Sequence, residues 1–177
     1  MTIRIRPTSV DDIDAIFSIR YAPEVSKSQY PRTKDDTQER WKKLLSDSPE
    51  ITRGVTFRCT TVLYDDKIIG HITRHHYEFD WSFCSCGWNL APSHWGNGLM
   101  CQALELMLTE LFENDKLDYV TADCFHDNHR SIRVIEKMGF SPYFISFPER
   151  VLVWWCVRCF RWVKRYRIDA DEWLGRV

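Results

Sequence analysis

The sequence of 177 residues has few glycines and prolines, no long apolar run and almost no net charge. Seven glycines and seven prolines are too few for a fibrous protein or an extended linker. The longest apolar run, residues 151–157, is far shorter than the roughly 20 residues that a helix needs to span a bilayer. Because 24 Lys and Arg residues nearly balance 25 Asp and Glu residues, the chain lacks the positive charge of a general nucleic-acid binder. We therefore expect a single domain over residues 1–177 that binds neither a membrane nor nucleic acid directly.

The N-terminus and the cysteines indicate a reducing, cytoplasmic location. The first six residues alternate between polar and apolar types and lack the continuous apolar stretch of a signal peptide. Seven cysteines are an odd number, which excludes a complete set of internal disulfides. Cys84 and Cys86, with Cys156 and Cys159, leave a structural zinc site as an alternative. We expect no metal, because a Cys-x-Cys pair on a strand lacks the turn of a zinc knuckle and cysteine is often a small buried residue.

The spacing of apolar residues predicts the order β-α-α-β-β-β-α-β-α-β-β, a mixed α/β domain with one central sheet. The sheet is expected to be mostly antiparallel at first and to contain a β-α-β unit later. Ser9 and Asp12 predict a capped helix start, and Asp65-Asp66 predicts a hairpin turn. Strands are expected over residues 2–6, 56–64, 67–76, 81–90 and 119–124, helices over residues 33–45 and 128–138 and after residue 98, more strand over residues 142–168, and a polar tail over residues 169–177.

The strongest chemical signal lies in residues 90–100, where a strand ends, a turn carries Gly96 and Gly98, and a long helix begins. Glycines let the backbone approach a ligand closely, and unpaired N–H groups at a helix N-terminus attract anions. The pattern indicates a seat for a pyrophosphate, although a plain strand-to-helix turn explains the two glycines equally well. It is neither a P-loop nor a full dinucleotide fingerprint, since the further residues of those motifs are missing.

A second motif makes the pattern specific. Residues 128–140 read Asn-x-x-Ser-Ile-x-x-x-x-x-x-Gly-Phe, downstream of the Trp-Gly-Asn-Gly turn at residues 95–98. Together the two motifs resemble the GNAT superfamily of acyl-CoA N-acyltransferases and, within it, the RimJ/RimL-like protein acetyltransferases. The likeness covers most of the chain. It implies the GNAT fold, an α/β fold with helices on both faces of a mixed central sheet that is splayed at the acyl-CoA site, and it implies acetyl-CoA as acyl donor.

The resemblance also implies a cofactor site residue by residue. The strand before the turn would splay from its neighbour, so that the pantetheine of acetyl-CoA pairs with the edge at Asn89 and Leu90, where amides would also polarise the thioester carbonyl. Asn128 would contact the pantetheine arm and Ser131 would lie near the sulfur, while Asn128 is also a good N-cap. Ser93 departs from the Gln or Arg of the family, at a position where RimJ/RimL-like members vary. The pyrophosphate would lie on the main-chain amides of Trp95, Gly96, Asn97, Gly98, Leu99 and Met100.

The implied chemistry is direct attack of an amine on a thioester, which needs a base for the ammonium proton and an acid for the leaving thiolate. Glu149 matches a RimL-like glutamate to within one residue and is the candidate base, and Ser131 is the candidate acid. The alternatives are that Glu149 is a rim carboxylate paired with Arg150, and that water is the base. Many family members carry an acid in the strand before the turn, but residues 84–86 contain none, so a base from that strand is in doubt.

Two other groups of residues are interpreted as structural. His71, His75 and His76 share one predicted strand, where exposed histidines are a commoner explanation than a base or a substrate contact. The basic residues of the C-terminal strands are interpreted as a solvated face, with an acidic acceptor or RNA near a ribosomal target as the alternative. The acceptor would enter between residues 22–34 and residues 143–155, whose aromatic residues suggest an apolar-walled cleft.

The resemblance therefore implies an acetyl-CoA-dependent N-acetyltransferase that acts on a primary amine. A protein N-terminal α-amine of the ribosomal-protein type is the preferred acceptor, and a small-molecule amine is the alternative. A third hypothesis is an acyl-CoA-binding sensor that has lost catalysis, which the missing acid in residues 84–86 keeps open. The expected partners are acetyl-CoA and the acceptor. The sequence does not decide between a monomer and a homodimer.

Overall fold

A computed structural model of the chain describes residues 2–29, 37–46, 51–52, 55–143, 155–156 and 161–176. Two short 3-10 turns, Val10–Asp12 and Pro92–His94, precede the first helix and the long helix. The strands are β1 (Ile3–Pro7), β2 (Ile51–Thr52), β3 (Val55–Tyr64), β4 (Lys67–Tyr77), β5 (Asp80–Leu90), β6 (Tyr119–Phe125), β7 (Ser141–Pro142), β8 (Trp155–Cys156) and β9 (Arg161–Asp169). The helices are α1 (Ile13–Tyr21), α2 (Pro23–Ser26), α3 (Gln38–Ser46), α4 (Leu99–Glu113), α5 (His129–Lys137) and α6 (Ala170–Leu174).

One mixed sheet forms the centre of the fold. Its strand order is β1-β3-β4-β5-β6-β9-β7, with β2 paired to β3 and β8 paired to β9. Within the described residues, β5 and β6 form the parallel pair, and the other pairs are antiparallel. The predicted mixed α/β class, the early antiparallel strands and the later β-α-β unit, which is β5-α4-β6, are confirmed.

Local sequence signals account for much of this arrangement. Asp65 and Asp66 both have positive φ, 47° and 64°, which matches the twist of a two-residue hairpin between β3 and β4. The carboxylate of Asp12 accepts a hydrogen bond of 2.9 Å from the amide of Ser9, as the predicted helix start requires. Gly139 ends α5 with φ +82°, the left-handed conformation that glycine adopts without strain.

Helices cover both faces of the sheet. Adjacent residues of a strand point to opposite faces: Ile72 of β4 belongs to the large core beneath α4 and α5, whereas the ring of His71 lies 5.7 Å from that of Trp41 in α3. A smaller core of Ile13, Ile16, Phe17, Trp41 and Cys59 lies on the α1–α3 side. As the helical spacing predicts, α4 buries Met100, Ala103, Leu104, Met107, Leu108, Leu111 and Phe112.

Two sequence-based expectations are wrong. Residues 169–177 are not only a polar tail, because Ala170–Leu174 forms α6 and buries Trp173 to 6% exposure. The strand histidines are not exposed either: His71 is fully buried, His76 is 6% exposed and His75 is partly covered. Helix α3 covers His71 through Trp41, and the stacked ring of Trp81 lies 6.1 Å from that of His76.

Other predictions are only partly within the described residues. The helix expected over residues 33–45 is described as Gln38–Ser46, and residues 30–36 lie outside the description. Of the strand expected over residues 142–168, the structure describes β8, β9 and the end of β7. Among the described residues, no helix is both long and apolar enough to cross a membrane.

Candidate functional site

Strands β5 and β6 separate near the middle of the sheet. Their parallel pairing runs from Phe83 opposite Tyr119 to Cys86 opposite Ala122 and goes no further. Beyond that point β5 stays paired with β4 as far as Leu90, and β6 stays paired with β9. The ends of the two strands therefore enclose a gap between β5 and β6, which is the splay that the family resemblance implies.

Alternation along β5 decides which amides face this gap. The carbonyl of Gly87 accepts a hydrogen bond of 3.2 Å from Thr73 of β4, and the amide of Ala91 donates to the carbonyl of Ile69, so odd-numbered residues face β4. Ser82 faces the opposite way, because its carbonyl accepts a 2.7 Å bond from the amide of Asp118 just before β6. Even-numbered residues therefore direct their main-chain groups toward β6.

The amides of Trp88 and Leu90 are the ones that face the gap. No residue of β6 is paired with either of them in the part of the chain that the structure describes. The predicted edge named Asn89 and Leu90, but the main chain of Asn89 pairs with His71 of β4. Trp88 was missed by the sequence reasoning, although the two-residue alternation of a strand could have identified it.

Trp95 closes the end of β5. Its indole Nε1 donates a hydrogen bond of 2.8 Å to the carbonyl of Leu90, which occupies one main-chain group on the gap side. The guanidinium of Arg130, in the first turn of α5, lies 4.4 Å from the centroid of the same indole ring. Trp95 therefore bridges the end of β5 and the start of α5, a contact that the motif did not reveal.

The glycine turn presents backbone donors from Gly96 onward, whereas the amide of Trp95, which the predicted seat included, donates a 3.2 Å hydrogen bond to the carbonyl of Pro92. Gly96 and Gly98 have φ values of +80° and +73°, and Gly98 caps α4 without a side-chain hydrogen bond. Asn97 is exposed and its Nδ2 donates to the carbonyl of Trp95. The side chains of Leu99 and Met100 are buried, so only their amides remain for a ligand. The α4 N-terminus thus combines uncapped amides with the positive end of the helix dipole.

Lys137 adds a positive charge to this turn. Its Nζ lies 3.8 Å from the position that a Cβ on Gly98 would occupy. The sequence analysis did not select Lys137, because it lies 39 residues from Gly98 and on the last turn of another helix. Amides, helix dipole and ammonium together make the turn suitable for an anion.

Asn128 and Ser131 form the N-terminal cap of α5. Asn128 Oδ1 accepts a 3.3 Å bond from the amide of Ser131, and its Nδ2 donates a 3.0 Å bond to Ser131 Oγ. The predicted N-cap role of Asn128 is confirmed. Because Ser131 Oγ accepts this bond, its own hydrogen is directed elsewhere and can be donated.

On the α1–α3 side of β5, Asn89 joins two other side chains. Its Oδ1 accepts a 2.9 Å bond from Gln29, and its Nδ2 is 3.2 Å from Nε2 of His71. Burial, and to a smaller extent the charge of Arg20, lowers the pKa of His71 to about 3. His71 is therefore neutral at neutral pH, and its Nε2 accepts the bond from Asn89.

Cys86 and Cys124, near the gap, are protonated thiols. Burial raises the pKa of Cys124 to about 12, and the sulfur of Cys84 together with burial raises the pKa of Cys86 well above its usual value. The sulfurs of Cys84 and Cys86 are 3.7 Å apart. Neither Cys86 nor Cys124 is a thiolate nucleophile at neutral pH. Among the described residues, no group of three or more His, Cys, Asp or Glu side chains could hold a metal ion.

The candidate base lies outside this description. Glu149 and Arg150 fall in residues 144–154, so their contacts are not described, and the same holds for most of the aromatic residues expected on the acceptor side. Of the predicted site residues, the structure brings together the end of β5, the glycine turn and the cap of α5, linked by Trp95 and Arg130.

Comparison with known proteins agrees with this geometry. A family model described as an acetyltransferase (GNAT) domain matches residues 2–141. The fold resembles that of a ribosomal-protein-S5-alanine acetyltransferase from Vibrio fischeri, with 19% identity, a TM-score of 0.76 and coverage of 98% of this chain and 96% of that one. The fold also resembles that of a GNAT-family acetyltransferase from Bacillus anthracis, with 22% identity, a TM-score of 0.73 and coverage of 97% of each chain. A mutant spermidine N-acetyltransferase from Vibrio cholerae is similar too, with 17% identity, a TM-score of 0.73 and coverage of 98% of this chain and 97% of that one.

Proposed function

Because the chain belongs to the GNAT acetyltransferase family, as the match over residues 2–141 establishes, we propose that its acceptor is a protein N-terminal α-amine. The chain is an N-acetyltransferase that uses acetyl-CoA as acyl donor. The proposal extends to a RimJ/RimL-like type of enzyme, which its motifs resemble, and to the roles of individual residues in the two halves of the site.

The donor half of the proposed site lies in the gap between β5 and β6. The amides of Trp88 and Leu90, which no described residue of β6 pairs with, suit the amide groups of a pantetheine arm, which would add to the edge of β5 as a short strand. The amides of residues 96–100 and the ammonium of Lys137 suit the phosphates. These donor types fit acetyl-CoA, which supplies an acyl group on a thioester.

The proposed chemistry needs proton transfers at the acceptor nitrogen and at the leaving sulfur. The acceptor ammonium first loses a proton, to Glu149 or to water, and the neutral amine then forms a C–N bond to the acetyl carbon. The C–S bond breaks, the leaving thiolate takes a proton from the proposed donor Ser131, and the nitrogen, which loses its second proton to become an amide, returns a proton to Ser131. The cap supports that role, because Asn128 holds Ser131 Oγ as an acceptor and leaves the hydroxyl hydrogen available.

The charge of the side chains on the acceptor side supports the choice of a peptide N-terminus as the acceptor. Among the described residues, Gln29, Asn89 and the neutral His71 are bonded to one another and to no carboxylate, and the guanidinium of Arg20 lies 4.7 Å from the ring centroid of Trp41 beside them. A polyamine carries several positive charges and would need carboxylates nearby. A peptide N-terminus presents one amine, so these neutral and cationic neighbours favour it.

The test is thiol release from acetyl-CoA with two matched acceptors. One is a short peptide that begins with alanine and has no lysine, and the other is spermidine. We expect turnover of the peptide, and preference for spermidine would contradict the proposal. Glu149→Gln should reduce kcat and remove the acidic-limb dependence on pH, because a carboxylate base is lost when it is protonated, whereas an unchanged pH profile would leave water as the base.

A non-catalytic sensor is the second candidate. The observation that favours it is the absence of an acid at Cys84, Ser85 and Cys86, together with the raised pKa of the Cys86 thiol. A sensor would bind CoA tightly and release no thiol with peptides, spermidine or other primary amines. Calorimetric CoA binding beside the turnover assay therefore separates the two functions.

A further inference from the structure

Asn89 lies where the α1–α2 arm, residues 13–29, meets the splayed end of β5. Its Oδ1 accepts the bond from Gln29 Nε2, and Gln29 Nε2 also lies 3.4 Å from the carbonyl oxygen of Arg20 near the end of α1. The amides of Ser28 and Gln29 bond to the carbonyls of α2. One side-chain amide of β5 thus connects to the end of α1 and to the turn after α2.

The carbonyl of Arg20 and Gln29 determine the orientation of that amide, and the amide in turn determines the tautomer of His71. His71 is fully buried, and no hydrogen-bond partner for its Nδ1 occurs among the described residues. A neutral ring has one acceptor nitrogen and one N–H, so with Asn89 Nδ2 at Nε2 the proton is on Nδ1. Because the carbonyl of Arg20 can only accept, Gln29 presents its Nε2 there, and Asn89 therefore turns its Oδ1 toward Gln29 and its Nδ2 toward His71. A flipped amide would put two donors together at Gln29.

This contact lies on the opposite face of β5 from the donor seat. The Asn89 side chain contacts Gln29 and His71 on the α1–α3 side, whereas Leu90 belongs to the core beneath α4. The main chains of Trp88 and Leu90, on either side of Asn89, face the gap. A change in the Asn89 side chain can therefore alter the acceptor side without removing a donor-side amide.

We propose that Asn89 is a positioning residue whose amide, hydrogen-bonded to His71, holds the α1–α2 arm through Gln29 against the splayed end of β5 and so sets acceptor affinity. This inference rests on the proposed function, because it takes the gap beside β5 as the thioester site. Asn89 acts through Gln29 and needs no contact with the acceptor.

Asn89→Leu keeps the size of the side chain and removes both hydrogen bonds. We expect KM for the alanine-initiated peptide to rise about tenfold, which corresponds to the loss of two neutral hydrogen bonds. The affinity for CoA, measured by calorimetry, should change less than about twofold. Gln29→Leu should reproduce the effect, and the double variant should add little to either single one. Asn114→Leu, the same exchange at an exposed residue after α4, should change neither quantity.

Hydrogen exchange tests the contact without any acceptor. In Asn89→Leu the amides of Ser28 and Gln29 should exchange about tenfold faster. The amide of Ala91, which bonds to Ile69 across β4 and β5, should keep its protection and so report an intact strand. Asn89→Asp should retain protection at Gln29, because a carboxylate still accepts the bond from Nε2.

The same variant has a spectroscopic signature at His71. A carboxylate can only accept, so Asn89→Asp should move the His71 proton from Nδ1 to Nε2, which imidazole nitrogen chemical shifts report. If neither peptide nor spermidine is turned over but Asn89→Leu frees the arm, the contact stands and the proposed acceptor fails. Unchanged exchange at Ser28 and Gln29, or faster exchange with an unchanged acceptor KM, would overturn the inference.

Discussion

The indole N–H of Trp95 donates a hydrogen bond of 2.8 Å to the main-chain carbonyl of Leu90. Through this bond Trp95, five residues after the last residue of β5, contacts the edge at which β5 separates from β6. It occupies a carbonyl that would otherwise face the gap, and the ring also lies under the guanidinium of Arg130. Trp95 therefore holds together the two sides of the proposed donor site.

Trp95→Phe removes the bond and keeps an aromatic ring beside Arg130. We expect CoA affinity to fall about fivefold, because one hydrogen bond of about 1 kcal/mol no longer holds the end of β5. Titration calorimetry measures the change. Trp81→Phe is the matched control at an exposed hairpin position, and it should bind CoA like the wild type. Equal affinity in both variants would show that the bond does not shape the donor site.

Lys137→Gln should weaken CoA binding about fivefold at low salt, because an ammonium near the glycine turn is lost. The difference between variant and wild type should shrink as ionic strength rises, since salt screens an exposed charge. Binding of S-acetylpantetheine, which lacks phosphates, should be the same in both proteins. Lys67→Gln, at an exposed residue of β4, is the control, and an equal loss for S-acetylpantetheine would contradict a phosphate contact.

Asp12 should make stability depend on acid pH. Burial alone would raise its pKa, but bonds from Arg6, the Ser9 amide and Thr61, with the charge of Arg6, lower it to about 2. The unfolded carboxyl titrates near 3.8, so the stabilisation is complete above that pH and is lost as the pH falls toward about 2. Asp12→Asn should cost about 2 kcal/mol at pH 7, by chemical unfolding.

The pH profile separates this carboxyl from its neighbours. The free-energy difference between wild type and Asp12→Asn should decrease steadily below pH 4. Asp11→Asn, at the adjacent exposed residue, should leave the unfolding curve nearly unchanged at every pH. A difference that stays constant down to pH 2 would mean that Asp12 acts by packing and not by charge.

Gly139→Ala should destabilise the protein by about 1–2 kcal/mol, because its φ of +82° is unfavourable for a residue with a Cβ. The new Cβ would also overlap the guanidinium of Arg176, which donates a 3.1 Å bond to the carbonyl of Met138. Thermal or chemical unfolding measures the loss. Gly175→Ala is the control, since Gly175 has φ −73° and accepts a side chain more easily. Equal losses in both would argue against backbone strain at Gly139.

Short-range features of this protein follow from the sequence alone. The hairpin at Asp65-Asp66, the buried face of α4 and the cap at Asn128 each depend on residues within a few positions of one another. Turn conformation, helical periodicity and capping are local interactions, so their patterns are visible in the chain. The turn at Gly96 and Gly98 belongs here too, because positive φ favours glycine.

Long-range contacts decided the rest. Packing against α3 and Trp81 buried His71 and His76, which look like ordinary strand residues in sequence, and β9 led into a helix that buries Trp173. The sequence alone pointed to a donor site near residues 89–100 and 128–131. Only the pairing of β5 with β4 showed that Trp88 and Leu90 face the gap, and only the tertiary structure joined Gln29 to Asn89 across 60 residues. Such pairings depend on which segments lie side by side, and that is set by the whole packed sheet and not by local spacing.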